Sequence, residues 1–181
     1  MSQFEYVSVA IALIYALAVG RVLAGLTPAL APTRRYSVHA AWLIQILLVC
    51  VTQWWGLWRT SDVEWTAFKF LWILGMPSLA YVRAAILLGT PESVPSYREH
   101  FYRVRQTYFA IGLATPVHSS LTPWVLEQVP WLTFRPGFHL AMLAIAGYCV
   151  VGLSSKSETV HRAVVGIALL LSIIVLARSA G

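Results

Sequence analysis

An all-α, membrane-embedded bundle of about six transmembrane helices, forming one domain over residues 1–181, is the fold class this sequence predicts. Three observations carry the prediction. Of 181 residues, 59% are hydrophobic and 11% are charged, with a mean hydropathy of +0.71, a balance that a water-facing surface does not tolerate. The apolar residues gather into six runs, each near the length a helix needs to cross about 30 Å of hydrocarbon. Basic residues concentrate in alternate connections between those runs, the pattern that sets the orientation of membrane proteins.

Taken in order, the runs are Tyr6–Leu26, His39–Trp58, Thr66–Leu88, Thr107–Val125, Pro136–Leu153 and Val160–Ala177. The chain starts MSQFEY, without a basic leader, so the first run reads as a span rather than a removed segment. The third run holds Pro77 near its middle, just after Gly75. The fourth holds Pro116, with His118, Ser119 and Ser120 beyond it. A proline inside a helix leaves a carbonyl one turn back without its donor, and in lipid that carbonyl needs another partner. The fifth run opens on Pro136 and Gly137, so a broken or re-entrant segment is the alternative at the fourth and fifth runs.

Connections after the first, third and fifth runs, with the adjoining helix ends, carry Arg34, Arg35, Arg98, Arg103, Arg105, Lys156 and Arg162, against Arg59, Arg135 and Arg178 on the other side. This excess predicts a basic cytoplasmic rim and both termini on the far, periplasmic face. Trp54, Trp55, Trp58, Trp65, Trp124 and Trp131 fall at that far face, and Tyr36, Tyr97, Tyr102 and Tyr148 at the other, as interfacial aromatic belts do. The net charge of +6 is accounted for by such loops, so nucleic acid is not an expected partner. Cys50 and Cys149 lie inside apolar runs without metal-ligand spacing. His39, His100 and His161 recur every 61 residues, each at the start of an even-numbered span, and Arg21 with Thr27-Pro28 is echoed by Arg83 with Thr90-Pro91. The spacing suggests a helical-hairpin pseudo-repeat, although prolines at helix exits are common without one.

The opening FEYVSV, the segment HAAWLIQILLVCVTQWWGLW and the segment YREHFYRVRQTYF together resemble a family of small multi-pass bacterial membrane proteins to which no activity is assigned. The resemblance covers about the first 110 residues. It implies a bacterial inner membrane and carries no catalytic or binding residue with it.

Ionisable groups within a bilayer are costly, so each needs a partner or a reach to the interface. Arg21 and Arg83 lie in the inner halves of spans one and three. Either they extend to the headgroups, or they turn inward and join Arg34, Arg35, Arg98, Arg103, Arg105, His39 and His100 in a cationic vestibule suited to an anionic lipid or solute. His118, beside Ser119 and Pro116, is a candidate for gating, proton relay or ligand binding, against the plainer role of a neutral ring bonded across a helix interface. Gln45 is its candidate partner, and the Pro77 and Pro116 breaks mark a candidate pathway.

All seven acidic residues, Glu5, Asp62, Glu64, Glu92, Glu99, Glu127 and Glu158, fall in loops or at helix ends. No HExxH or GxSxG motif and no carboxylate cluster occurs, which disfavours metal-dependent and serine-based enzymes. No catalytic residue, metal or cofactor is therefore expected. The expected role is non-enzymatic transport or conduction of an anionic solute by an oligomeric protein. A membrane-embedded accessory protein holding anionic lipid or a partner subunit is the alternative, and haem held between His39 and His100 is a further one.

Overall fold

A computed structural model describes residues 2–33, 35–90, 94, 96–130 and 133–179. Arg34, Pro91, Glu92 and Trp131 lie outside the described residues. Those described form helices and their connections, with no strand among them: α1 (Gln3–Leu30), α2 (Ser37–Gly56), α3 (Ala67–Ile73), α4 (Gly75–Leu88), α5 (Tyr97–Gly112), α6 (Ala114–Val125), α7 (Pro136–Ser154) and α8 (Glu158–Ser179), with a 3-10 turn at Leu57–Thr60.

Local chemistry sets where the helices start. Ser2 caps α1 in a capping box, its hydroxyl accepting from the Glu5 amide at 3.2 Å while its own amide donates to the Glu5 carboxylate at 2.7 Å. Thr66 and Ser96 cap α3 and α5 through the amides of Lys69 and Glu99. Pro136 occupies the first turn of α7, where its missing N–H would be unpaired in any case.

Two rods are broken, and both breaks have the same cause. The ladder lapses at Leu74, three residues before Pro77, and at Leu113, three residues before Pro116. Each proline removes a donor and crowds the carbonyl four residues back. The fourth rod also begins earlier than its apolar run: the polar stretch from Tyr97 is already helical, and Thr107–Val125 continues it across the break.

Five helical segments are long and apolar enough to cross a membrane: Gln3–Leu30, Ser37–Thr60, Ala67–Leu88, Pro136–Ser154 and Glu158–Arg178. The α5–α6 rod is not among them, because its first turns are charged and its last carry hydroxyls and prolines.

The rods pack as a ring in the order α1, α2, α8, α7, α5–α6, α3–α4 and back to α1, with α2 touching α4 across the middle. Three hairpins are present, yet the ring lacks three-fold order. The second helices α2 and α8 meet at one junction, and the first helices α1 and α4 meet at another.

The polarity of the packing is inverted relative to a water-soluble bundle. Leu13, Leu17, Leu140, Leu143, Leu170 and Ile173 face outward, whereas His39, Gln45, Lys69, Arg83, Arg105 and His161 are buried. Trp42 anchors the core on α2, with the rings of Tyr108, Phe109 and Tyr148 at 5.5, 5.2 and 5.8 Å. Gly152 on α7 lets the Phe109 ring lie directly against its backbone.

Candidate functional site

Arg83 is the side chain from which the site is built. It projects from α4 into the ring and is 3% exposed. Its Nη2 donates to the Tyr108 hydroxyl at 2.7 Å, and the guanidinium carbon stands 4.6 Å from the centre of the Tyr108 ring. Its Nε is buried with no hydrogen-bond partner. Among the described residues no carboxylate pairs with it. Gly112 lies beside it; a Cβ there would be in ordinary contact with Nε at 3.7 Å but would crowd the Cys149 sulfur at 3.0 Å, so the glycine chiefly lets α7 approach.

Arg83 lines a cavity of about 170 Å³ between α2, α4, α6, α7 and α8. Its lining mixes polar side chains, Gln45, Gln53, Thr115, Ser119, Tyr148 and Ser172, with apolar ones, Ala141, Met142, Ile145 and Leu171. Gln45, 2% exposed, donates to the Ser172 hydroxyl at 3.4 Å and leaves its carbonyl oxygen without a partner. A buried cation and a buried amide with unused hydrogen-bonding capacity are costly unless a ligand meets them.

A larger cavity of about 490 Å³ adjoins at the end of the ring that carries the N-terminus. It is lined by Tyr15, Gln128, Arg59 and Arg135 among others, and it shares Gln53 and Ser119 with the Arg83 cavity. Gln53 accepts from the Tyr15 hydroxyl at 3.0 Å.

The structure therefore brings Gln45, Ser119 and Arg83 to one cavity, with Pro116 buried on the rod beside it. His118 goes elsewhere. Its ring stacks on Trp72 at 4.6 Å, and Nε2 donates to the Trp72 carbonyl at 2.9 Å, in the turn before the Leu74 break. Thr122 ties the arrangement together, accepting from the Trp72 indole at 3.0 Å and donating to the His118 carbonyl at 2.8 Å. Gly75 leaves the room, because a Cβ there would sit 2.7 Å from His118 Nε2. Pro77 lies two residues on, buried in α4. His118 thus fastens two broken rods together and faces an outer apolar groove that also holds Leu79, Val82 and Val117.

The basic rim residues are dispersed. Arg21 lies in a groove of about 450 Å³ between α1 and α4, its guanidinium 5.9 Å from the Tyr81 ring and its Nε without a partner. Arg35 is exposed, and Arg98 pairs with Glu158 at 3.2 Å. Arg105, 4% exposed, donates to the Leu153 carbonyl at 2.6 Å and so closes the end of α7. Arg103 donates to His100 Nδ1 at 3.1 Å, and His100 Nε2 donates to the Ile86 carbonyl at 3.0 Å. Burial holds the His100 imidazole below its usual pKa and the Arg103 charge adds to that, against the opposing bond to Ile86.

His161 bonds the Ser155 carbonyl at 2.9 Å, so His100 and His161 each tie the second helix of a hairpin to the end of the first. His39 is fully buried with both ring nitrogens unpartnered, packed on Tyr97 at 4.5 Å. The His39 and His100 rings are 6.4 Å apart. Because both His100 nitrogens are engaged, the pair does not offer two free ligands to haem. No group of three His, Cys, Asp or Glu side chains able to hold a metal occurs among the described residues.

Sequence reasoning did not single out Tyr108, Tyr148, Gln53 or Ser172 as site residues. Ser172 had a legible signal, a lone hydroxyl within ALLLSIIVLA. The tyrosines had none, since only the packing shows which ring meets Arg83.

No family model, curated protein or solved structure matches the chain.

Proposed function

We propose that the chain is a six-span membrane protein that takes a small anionic solute through its interior, with Arg83 as the binding cation. One observation carries the reading: a buried arginine, without a carboxylate partner among the described residues, lines a polar cavity inside the ring. A cation so placed is costly by itself and attracts an anion strongly at low dielectric. Arg59 and Arg135 at the adjoining cavity give an anion a favourable approach. Residues 107–125 of the α5–α6 rod are the sixth span, the Pro116 break standing beside the cavity. The basic loops and the family resemblance favour a bacterial inner membrane with both termini periplasmic. His118 serves this reading as a fastener of the broken rods rather than as a lining group.

Reconstitution in liposomes tests it. The protein should pass small anions, and Arg83→Gln should reduce the flux at least tenfold while Arg21→Gln leaves it within twofold. Folded protein that passes no anion overturns the proposal. The groove at Arg21 supports a second reading, an accessory protein that holds an anionic lipid; it predicts phospholipid that stays bound through purification and is lost in Arg21→Gln.

A further inference from the structure

We infer that the Arg83 cavity selects a small monocarboxylate, an acid with one negative charge and a short apolar tail. The inference rests on reading this cavity as an anion site and adds the chemical class of the anion.

Charge sets the valence. Arg83 supplies one positive charge, and among the described residues neither a second basic side chain nor a carboxylate lines the cavity. A monoanion gives a neutral buried pair. A dianion such as succinate, or phosphate in its doubly charged form, leaves one uncompensated negative charge, and desolvating such a charge is among the largest penalties in a protein interior.

Shape sets the rest. A cavity of about 170 Å³ holds the space of roughly five or six waters at about 30 Å³ each, and it lies below the usual range of about 300–1,000 Å³ for drug-sized ligands. A lone halide is too small to use it, and it presents nothing to the apolar lining residues Ala141, Met142, Ile145 and Leu171. A planar carboxylate suits the guanidinium fork. Of that fork, Nη2 is committed to Tyr108 and Nε has no partner. A tail of two to four carbons then meets these apolar lining residues, each buried methylene favouring butyrate over formate by about fourfold. Gln53 and Ser119 line both this site and the larger cavity, whose two arginines attract anions of any valence, so the choice between anions is made at Arg83.

The test uses the full chain in detergent for binding and in liposomes for flux, with butyrate as the probe. Butyramide is the neutral isostere, and succinate, inorganic phosphate and chloride are the competing anions. One butyrate should bind per chain and raise the melting temperature in a saturable way, at least tenfold more tightly than succinate, phosphate or chloride, while butyramide should not compete. Arg83→Gln should weaken butyrate at least tenfold. Ala141→Leu, which keeps the cation and reduces the space beside the apolar lining residues, should shift preference from butyrate towards acetate; unchanged chain-length preference in that variant overturns the assignment of the tail to that lining. Phosphate, succinate or chloride binding as tightly as butyrate overturns the inference even where anion flux persists, leaving the transport reading in place. Saturable butyrate binding without flux supports the inference and sinks the transport reading. Butyrate that neither binds nor shifts the melting temperature of folded wild-type protein overturns the inference.

Discussion

Replacing Arg83 with methionine separates a residue kept for binding from one kept for folding. The substitution removes the charge but retains an unbranched apolar stem of similar reach. On the unfavourable side, the 2.7 Å bond to the Tyr108 hydroxyl is lost, costing about 1.5–3 kcal/mol for a charged donor. The guanidinium contact with the Tyr108 ring at 4.6 Å is also lost, about 2 kcal/mol when desolvated. On the favourable side, a cation 3% exposed without a carboxylate no longer has to be buried, and the effective penalty for that is several kcal/mol per ion. The two sides nearly cancel, so Arg83→Met should unfold within about 2 kcal/mol of wild type. Anion binding and flux should nevertheless be abolished. Denaturant unfolding of both proteins in the same detergent, without added anion, measures the difference. A loss of about 3–5 kcal/mol, the usual cost of breaking a compensated buried pair, would refute the reasoning and make Arg83 a structural residue.

Four further outcomes are expected elsewhere in the chain. Gly75→Ala places a Cβ 2.7 Å from His118 Nε2 and should cost about 1–3 kcal/mol by overpacking, less up to about 1 kcal/mol of helix propensity; an unchanged melting temperature would show that the bond to Trp72 is dispensable. On α7, Gly152→Ala meets the Phe109 ring and should destabilise, whereas Gly147→Ala, with open space around it, should be neutral or gain up to about 1 kcal/mol; the opposite order in thermal melts would refute the packing. Glu127 pairs with Lys69 at 3.1 Å but is a non-glycine residue at φ 58°. Glu127→Gly relieves about 1–2 kcal/mol of backbone cost and should therefore be more stable than Glu127→Gln, and the reverse ranking would count against that strain. His100 is held below its usual pKa of about 6.5. Both folded and unfolded states are neutral there above that value, and below it the unfolded state takes up the proton that buried His100 resists. Stability should fall as pH drops from about 6.5, and His100→Gln should flatten that acid limb in melts from pH 5 to 8.

The helical class and the positions of the apolar rods were legible because both follow from local chemistry. Length and hydropathy marked six runs, of which five are helices long and apolar enough to cross a membrane, and the Pro77 and Pro116 breaks followed from a missing amide and a crowded carbonyl. The start of α5 was not legible as part of its rod, because Arg98, Glu99 and Arg103 read as a loop until Ser96 is seen capping them. Arg83 was legible as an ionisable residue within an apolar run, with its inward direction left open. Tyr81 and Arg83 are two positions apart and so point to opposite sides of α4; the first meets Arg21 in an outer groove and the second meets Tyr108 inside. Which side faces the ring depends on the partners of α4. His118 shows the reverse case: its residue type promised chemistry, and its bonds to Trp72 and Thr122 occupy it with packing.

The two proline breaks do different things, and the difference explains why the cavity lies where it does. At the Leu74 break, His118 from the neighbouring rod donates to the Trp72 carbonyl and Gly75 admits the ring, so α3–α4 and α5–α6 are fastened on their outer side. At the Leu113 break the small residue is Gly112, where a Cβ would crowd the Cys149 sulfur of α7 at 3.0 Å and touch Arg83 Nε only at 3.7 Å. A glycine next to a proline-broken turn therefore admits a histidine on the outer face of this helix pair and α7 on its inner face, where Arg83 lies alongside. Moving the break by one residue would rotate Thr115 and Ser119 by about 100° around the α6 axis, away from Gln45 and Ser172. An alanine inserted after Leu113 should accordingly abolish anion binding while Gly112, Arg83 and Tyr108 remain unchanged in sequence. Anion binding that survives the insertion would mean that Thr115 and Ser119 of α6 play no part in the site.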